Sequence, residues 1–308
     1  MDKNGFIVYL EGKGLAPATI AHYVKVAALF FKWAKKEDIQ VTKPDVLRYL
    51  EHLKKNTKQQ NITRWHACIA LKHYFNALQQ ANMISHNPVA LIKIRGTYKK
   101  RLYKIYTPDE LTELADNFYA IFISGFDDSR MDKDKKQKSF LSRQRNYAML
   151  TLLLYQGLTT QELPKINLND IDLNKARLTL NNGSTIRNLP IQAAQIGTLI
   201  NYVKNIRPLF LDFCSVETEK MFFSLSAEQY DKTFIKPLKK LTKQVKSIDK
   251  NFINFSQIRT SVITHWVQAE GLRKAQYLAG HRYINSTEKY LSNNLDGLID
   301  DINKLHPF

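Results

Sequence analysis

Apolar side chains recur at helical spacing through the first third of the chain. Between Pro17 and Ala34 they fall three or four positions apart, which predicts an amphipathic helix with a proline in its first turn. A second helix should begin after Thr42, because Pro44 and Asp45 suit a first helical turn. The same periodicity predicts a third helix from Ile62 to Leu78.

The third predicted helix carries a stripe of large apolar residues that we expect to face a core rather than a cofactor. These residues are Trp65, Ile69, Leu71, Tyr74, Phe75 and Leu78. A short fourth helix is predicted from the pair Asn87-Pro88 through Ile92. Four helices within residues 1–92 predict a small all-α bundle as an N-terminal domain.

The pattern changes between residues 93 and 106, where cations recur without a helical period. They are Lys93, Arg95, Lys99, Lys100, Arg101 and Lys104. This composition indicates a basic linker. A new helix should begin at Thr107, since a threonine N-cap, Pro108 and Glu110 form a capping box. We therefore expect a second domain over residues 107–308.

The second domain reads as helices with one β-hairpin. Residues 127–138 are rich in Asp, Lys and Gln, which predicts a mobile surface insertion. A buried helix is predicted over residues 146–155, and another from about Thr160. Alternating residues on both sides of a polar turn predict a hairpin over residues 177–189, and helices should follow from Ala193 to Leu305.

The composition is that of a globular chain outside the membrane. Hydrophobic residues make up 44% and charged residues 24%, and no apolar run is long enough to cross a bilayer. The N-terminus lacks a signal sequence, and the only two cysteines, Cys68 and Cys214, cannot form a disulfide framework. We therefore expect a reducing, cytoplasmic location.

The net formal charge of +18 points to a polyanionic partner. Residues 1–100 carry 17 Lys and Arg against 6 Asp and Glu, whereas residues 101–308 carry 29 against 22, so the first third is the more basic. A solubilising surface is the alternative explanation. A membrane-surface role is disfavoured because the cations are not gathered on one short amphipathic helix.

Two stretches of the second domain carry candidate chemistry. The first is Gly157-Leu158-Thr159-Thr160-Gln161-Glu162-Leu163, just before the predicted hairpin. The second begins with Ser256-Gln257-Ile258-Arg259-Thr260, continues with Leu278-Ala279-Gly280-His281 and ends at Tyr290. In order and spacing these stretches resemble the two signatures of the tyrosine recombinase, or phage integrase, family.

The resemblance extends to the N-terminal bundle, which is similar to the family's core-binding domain. The matching residues are Gly14-Leu15, Thr19, Tyr23, Phe30 and Asn87-Pro88. It implies a mainly α fold, with a four-helix SAM-like core-binding bundle followed by a mainly α catalytic domain that holds a small β-hairpin or sheet, the DNA breaking-rejoining fold. Such a chain would resemble Xer-type or transposon-borne recombinases, with no room for the arm-binding domain of lambda-type integrases.

The resemblance also implies roles for three residues in a site-specific recombinase. Tyr290 would attack a backbone phosphate, Arg259 would hold two phosphate oxygens in its planar fork, and His281 would donate a hydrogen bond to phosphate or tyrosine. The products would be a 3′-phosphotyrosine and a free 5′-hydroxyl. We expect no metal, cofactor or ATP, because fixed donors stabilise the developing charge and the covalent link retains the bond energy.

Several family positions are replaced in this chain. They are Thr159 for the first arginine, Asn182 for the hairpin lysine, Ser256 for the histidine before Arg259 and Thr260 for the histidine or lysine after it. Each lost transition-state donor costs roughly two to three decades of rate, although such effects rarely add. Among the neighbouring cations we favour Arg187 as a catalytic substitute, ahead of Lys165, Lys175 and Arg282.

The implied partner is double-stranded DNA with a specific site. The candidate DNA-binding residues are Arg64, Lys72, Lys99, Lys100 and Arg101. Apolar residues recur at helical spacing from Leu295 to Leu305, and the resemblance implies that this C-terminal helix docks on a neighbouring subunit of a homotetramer. His265 and Glu162 are interpreted as structural, and the histidines show no metal-ligand spacing.

Two other functions would use the same residues. One is a catalytically deficient DNA-binding accessory protein that keeps the recombinase fold. The other is a relaxing enzyme similar to type IB topoisomerases, which shares the phosphotyrosine chemistry but exchanges no strands.

Overall fold

A computed structural model of the chain describes residues 1–96, 104–181, 185–214, 217–224 and 234–291. The chain divides into two compact units, Met1–Arg101 and Leu102–Phe308. Each unit has a hydrophobic core of its own. The finer division into domains over 1–92 and 107–308, with a linker over 93–106, stays a prediction.

Within residues 1–96 of the first unit, four α-helices surround a core rich in aromatic rings. They are α1 (Lys3–Gly12), α2 (Pro17–Ala34), α3 (Lys43–Lys55) and α4 (Asn61–Gln80), with a 3₁₀ turn at Asp38–Gln40. Pro17 opens α2 and α3 begins after Thr42, both as predicted, and the structure adds a capping box at Thr42. Phe30 packs edge to face against Tyr49 and Phe75 and holds α2 against α3 and α4.

The four helices are not the four that the sequence predicts. The pattern missed α1, and the predicted helix over 87–92 is wrong because residues 88–91 form a turn. The Asn87 side chain accepts a hydrogen bond from the Val89 backbone N–H at 2.7 Å, and such local bonding competes with a helix. Trp65 is also misplaced in the prediction, since it is 38% exposed near the start of α4.

Seven α-helices lie among the described residues of the second unit. They are α5 (Pro108–Tyr119), α6 (Lys133–Tyr155), α7 (Ala193–Asn201), α8 (Arg207–Cys214), α9 (Ile235–Ile248), α10 (Phe255–Ala279) and α11 (Asn285–Glu288). A π-helical turn, Ala120–Ser124, extends α5, and another, Tyr202–Ile206, joins α7 to α8. The capping box at Thr107 is confirmed, with the Glu110 carboxylate 2.9 Å from the Thr107 backbone nitrogen.

The long helix α6 runs through the core, and its start corrects one prediction. Residues 133–138 are helical, so the predicted mobile insertion over 127–138 is wrong for that half. The reason is an N-cap that the sequence analysis missed, because the Asp132 side chain accepts from the Lys135 backbone N–H at 2.9 Å. A helix from about Thr160 is also wrong. That segment contains a 3₁₀ turn, Leu163–Lys165, where Pro164 disfavours the α conformation of the residue before it.

The predicted hairpin is confirmed as part of a three-stranded antiparallel sheet. The strands are β1 (Ile171–Asp172), β2 (Arg177–Asn181) and β3 (Ile186–Pro190), in the order β1-β2-β3, after a 3₁₀ turn at Leu168–Asp170. Leu178 pairs with Leu189, and Leu180 pairs with Arg187. These four side chains lie on the buried face, so the sheet carries a guanidinium into the interior.

The architecture is therefore mainly helical with one small sheet, and the predicted fold class is confirmed. Across the part of the chain that the structure describes, no helix combines the length and the apolar character needed to span a membrane.

Candidate active site

Helix α10 and the segment after it bring together the three residues that the second motif singles out. Arg259 lies in the second turn of α10. The helix bends at Gly271, where φ is 77° and ψ is 168°, and it ends at Ala279. His281 follows almost at once, and α11 then leads to Tyr290.

Two backbone carbonyl groups hold the Arg259 guanidinium. Its Nη1 donates to the Gly157 oxygen at 2.6 Å, and its Nη2 donates to the Ala279 oxygen at 2.6 Å. Burial lowers the pKa of Arg259, while the charge of Glu162 acts in the opposite direction. The first and second motifs therefore meet at this side chain, and further N–H groups of the fork are left for an anionic ligand.

His281 lies beside Tyr290 with its ring almost parallel to the phenol. The ring centroids are 5.9 Å apart and the planes differ by 18°. Burial, reinforced by the positive charges of Arg259 and Arg187, lowers the pKa of His281 to about 4. The imidazole is consequently neutral at pH 7, with one ring nitrogen as donor and the other as acceptor.

Tyr290 is partly buried at the edge of a small apolar cluster in which Ile263, Val267, Ala275 and Ala279 are buried. Its backbone N–H donates to the Thr287 oxygen at 3.0 Å. The phenol also lies within electrostatic range of the Arg259 guanidinium. The structure thus gathers phenol, imidazole and guanidinium in one place within the second unit.

Arg187 lies inside the fold rather than at the surface of this site. Its side chain is 1% exposed, and its Nη2 forms an ion pair with Glu162 Oε1 at 2.6 Å. Among the described residues, its buried Nε and Nη1 have no hydrogen-bond partner. A phosphate would reach these groups only after a movement that uncovers them, so the predicted direct substitution for a missing phosphate ligand does not fit this geometry.

Gly280 allows the turn before His281 to pack directly on Arg187. A Cβ at residue 280 would lie 2.5 Å from Arg187 Nη1 and 2.9 Å from its Cζ. The backbone φ of +67° also favours glycine. This close approach lets the buried guanidinium act on His281 through its electric field.

Thr159, to which the sequence resemblance assigns the position of a family arginine, faces inward. Its backbone N–H and its hydroxyl donate to Glu162 Oε2 at 2.8 and 2.9 Å. Arg187 uses the other carboxylate oxygen. Glu162 therefore ties the first motif to β3, which agrees with the structural interpretation of this residue.

The charges of this site do not cancel. Arg187 and Arg259 contribute two guanidinium groups against the single carboxylate of Glu162, and His281 is neutral at pH 7. A net positive charge suits an anionic ligand such as a phosphodiester. In the described ranges no group of three His, Cys, Asp or Glu side chains could hold a metal ion.

Other predicted site residues of the second unit serve the fold or lie elsewhere. Ser256 is exposed, and its carbonyl accepts from the Thr260 hydroxyl at 2.8 Å, so that hydroxyl is used within α10. His265 Nε2 bonds the Tyr106 oxygen at 2.7 Å, which fits its structural interpretation. Asn182, Lys99, Lys100, Arg101 and the predicted helix from Leu295 to Leu305 lie outside the described residues.

Two candidate DNA-binding residues lie in the first unit, on α4. Lys72 is exposed, with its Nζ 3.4 Å from the Ala90 oxygen. The Arg64 guanidinium is turned inward, since its Nη2 donates to Asn61 Oδ1 at 2.6 Å and its Nε is buried. Lys72 is thus the better placed of the two for a phosphate.

Sequence reasoning missed two hydroxyl groups that hold this site together. Thr287 is fully buried, and its Oγ1 lies 2.9 Å from His281 Nδ1. Its position three residues before Tyr290 could have indicated a contact between the two residues. The Tyr277 hydroxyl accepts from the Asn188 backbone N–H at 2.9 Å and so joins α10 to β3. No sequence pattern announces that contact, because it depends on tertiary packing.

Comparison with known proteins places these residues in a family context. Residues 130–296 match the phage integrase family. A tyrosine recombinase of Pseudothermotoga lettingae is 25% identical over 298 residues, which cover 94% of this chain and 93% of that protein. Tyrosine recombinase XerC of Psychromonas ingrahamii is 26% identical over 303 residues, covering 96% of this chain and 92% of the relative.

Solved structures share the fold at lower identity. The XerH site-specific recombinase bound to its palindromic difH substrate matches with a TM-score of 0.66 at 15% identity, over 96% of this chain and 82% of that one. The Tn1549 transposon integrase in complex with transposon right end DNA matches with a TM-score of 0.66 at 14% identity, over 98% of both chains. At these identities the likeness establishes the fold alone.

Proposed function

Because the chain belongs to the phage integrase family of tyrosine recombinases, we propose that it is a site-specific DNA recombinase that works through a 3′-phosphotyrosyl intermediate. The observation that carries this proposal is the stacking of Tyr290 on His281, with 5.9 Å between ring centroids, beside the backbone-held Arg259. The two structural neighbours solved on DNA support duplex DNA as the substrate.

The reaction exchanges one phosphoester bond for another. The Tyr290 phenolic oxygen attacks phosphorus and loses its proton, the bond to the 5′-oxygen breaks, and that oxygen gains a proton. Arg259 binds non-bridging oxygens, and His281 donates to the phosphate or to the leaving oxygen. The 5′-hydroxyl of another strand then reverses the step on a new partner, so that no external energy source is required.

Arg187 serves this reaction as a buried cation. The charges of Arg187 and Arg259 together exceed that of Glu162. Arg187 therefore supplies part of the positive charge that an arginine at the position of Thr159 would have provided. Arg187→Met should unfold the site, because breaking a buried ion pair from one side costs about 3–5 kcal/mol. The double variant Arg187→Met with Glu162→Gln removes both charges and should regain stability without regaining cleavage. Full cleavage by the double variant would show that the buried charge is dispensable.

Covalent trapping tests the proposed function. The full chain is incubated with a pool of nicked duplexes of random sequence, and adducts that survive denaturation are isolated and sequenced. We expect a sequence-selective adduct that Tyr290→Phe abolishes. Tyr283→Phe is the matched control and should retain the adduct, because that ring is 64% exposed and lies outside the gathered site.

Other outcomes of trapping would identify other functions. Sequence-selective binding without any adduct would indicate a catalytically deficient accessory protein. Adduct formation with relaxation of supercoiled DNA, but without joining of a partner strand, would indicate a topoisomerase-like enzyme. Either result would contradict recombination by this chain.

We infer that assembly on DNA involves a homotetramer held by the segment after Leu291. Apolar residues at helical spacing between residues 295 and 305 support this inference. Removing residues 292–308 should weaken the pairing of two DNA sites while sparing binding to one site. Equal loss of both would contradict it.

The residues proposed to contact DNA phosphates are Lys72, Lys99, Lys100 and Arg101. A cytoplasmic location stays a prediction.

A further inference from the structure

We propose that Thr287 is a positioning residue that determines which nitrogen of His281 carries the proton. In this arrangement the Thr287 hydroxyl donates to Nδ1, so that the ring keeps its proton on Nε2 and donates from there. Only the role of the Nε2–H group in catalysis rests on the proposed function. The tautomer itself follows from the hydrogen bonds around Thr287.

Thr287 is linked to both His281 and Tyr290. Its side chain is fully buried in α11, with Oγ1 2.9 Å from His281 Nδ1. Its backbone carbonyl accepts from the Tyr290 N–H at 3.0 Å, and its own N–H donates to the Ile284 oxygen at 2.7 Å. Thr287 therefore fixes the imidazole of His281 relative to the backbone of Tyr290.

The hydroxyl proton of Thr287 must find an acceptor, since a buried donor without one is costly. Other threonines of this unit donate to the carbonyl four residues earlier, as Thr242 does to Leu238 and Thr260 does to Ser256, both at 2.8 Å. Within the described residues, the hydrogen-bond partner of the Thr287 hydroxyl is His281 Nδ1. That nitrogen can accept only without a proton, which places the ring proton on Nε2.

The tautomer matters because this imidazole has one proton at neutral pH. The pKa of His281 is lowered to about 4 by burial and nearby guanidinium groups. A neutral ring with its proton on Nδ1 would present a lone pair from Nε2, which repels a phosphate oxygen. With the proton on Nε2 the same ring is a hydrogen-bond donor for the phosphate or the leaving oxygen.

Nitrogen-15 NMR reads the tautomer directly. The full chain is labelled at its 8 histidines, recorded without DNA, and the His281 signals are assigned by their loss in His281→Gln. We expect the Nε2–H form in the wild type and in Thr287→Ser, and a mixture of both forms in Thr287→Val. Thr242→Val, which also removes a threonine hydroxyl, is the matched control and should leave His281 unchanged.

Adduct formation supplies a second readout. Thr287→Val should slow trapping on the nicked duplex pool about three- to tenfold, as expected for one lost hydrogen bond, while Thr287→Ser restores the rate. A wild-type ring protonated on Nδ1, or an unchanged tautomer in Thr287→Val, would overturn the proposal. The wild-type spectrum decides even if Thr287→Val does not fold. Because it needs no DNA, its failure is distinguishable from a failure to cleave.

Discussion

The charge state of His281 depends on neighbours that no local sequence motif reveals. Burial of the imidazole, reinforced by the positive charges of Arg259 and Arg187, lowers its pKa to about 4. Protonation in the folded state is thus disfavoured, whereas the unfolded chain takes up that proton near the ordinary pKa of 6.5. Through this group, stability is fully present above pH 6.5 and declines as the pH falls toward 4.

We predict that an NMR titration of the free protein will give a His281 pKa close to 4, and that bound duplex DNA will raise it. The rise is expected because phosphate charge offsets that of the two guanidinium groups. Denaturation of His281→Gln should show a smaller loss of stability between pH 7 and pH 5 than the wild type. An ordinary pKa near 6.5 in the free protein would contradict the described packing.

Gly280→Ala should damage the site through Arg187. The new Cβ would lie 2.5 Å from Arg187 Nη1, and the φ of +67° adds a penalty of about 1 kcal/mol. We expect a loss of at least that size in denaturant unfolding, together with slower adduct formation.

Gly197→Ala is the matched control for that substitution. Gly197 lies within α7, and a Cβ at this residue would meet no atom within 4 Å, so alanine should stabilise the helix by about 0.5–1 kcal/mol. Equal effects of the two substitutions would show that Gly280 is not under the described constraint.

At the level of elements, the bend in α10 separates the turn with Arg259 from the last turn, which ends at Ala279. Gly271 has φ 77° and ψ 168°, a conformation that is essentially limited to glycine. Beyond the bend, the last turn of α10 returns so that the Ala279 oxygen reaches Arg259 at 2.6 Å. The bend is therefore part of the site's geometry.

Gly271→Ala should either strain or straighten this helix. We expect a cost of about 1–3 kcal/mol in unfolding experiments, and a loss of adduct formation larger than the loss of stability explains. Alanine at residue 271 meets no atom within 4 Å, so a steric clash is not the cause. Unchanged stability and trapping would contradict a role for the bend.

Elements with strong local signals were predictable from sequence, whereas those fixed by side-chain bonds were not. The proline and capping signals found α2, α3 and α5, and alternation found the β2–β3 hairpin. The turn at Asn87 and the early start of α6 at its Asp132 cap depend on single hydrogen bonds. A period of apolar residues does not contain that information.

The candidate site was predictable in its motif residues but not in its supports. Order and spacing singled out Arg259, His281 and Tyr290, which the structure gathers. The inward burial of Arg187 and the contact of Thr287 with His281 arise from residues that are distant in sequence or hidden by packing. Such relations require the fold itself.

At the level of the whole molecule, the net charge of +18 should make DNA binding strongly salt-dependent, because bound lysines and arginines release condensed counterions. We predict that affinity for random duplex DNA falls about a thousandfold or more between 50 and 200 mM salt. Lys72→Ala should reduce the magnitude of the slope of log affinity against log salt concentration by about one. Lys135 is paired with Asp132 at 2.8 Å, so Lys135→Ala should change that slope less. A flat salt response would favour a merely solubilising surface.

The hydrogen bond between Tyr277 and Asn188 also protects the edge of the sheet from pairing with a second molecule. In the described sheet, β3 is an outer strand, and a free N–H on such a strand invites hydrogen bonding by a strand from a second molecule. The Tyr277 phenol occupies the Asn188 N–H, and Pro190 at the end of β3 has none to offer. Replacing Tyr277 by phenylalanine would leave the Asn188 N–H without this acceptor, and we expect more aggregation at high concentration, measured by light scattering.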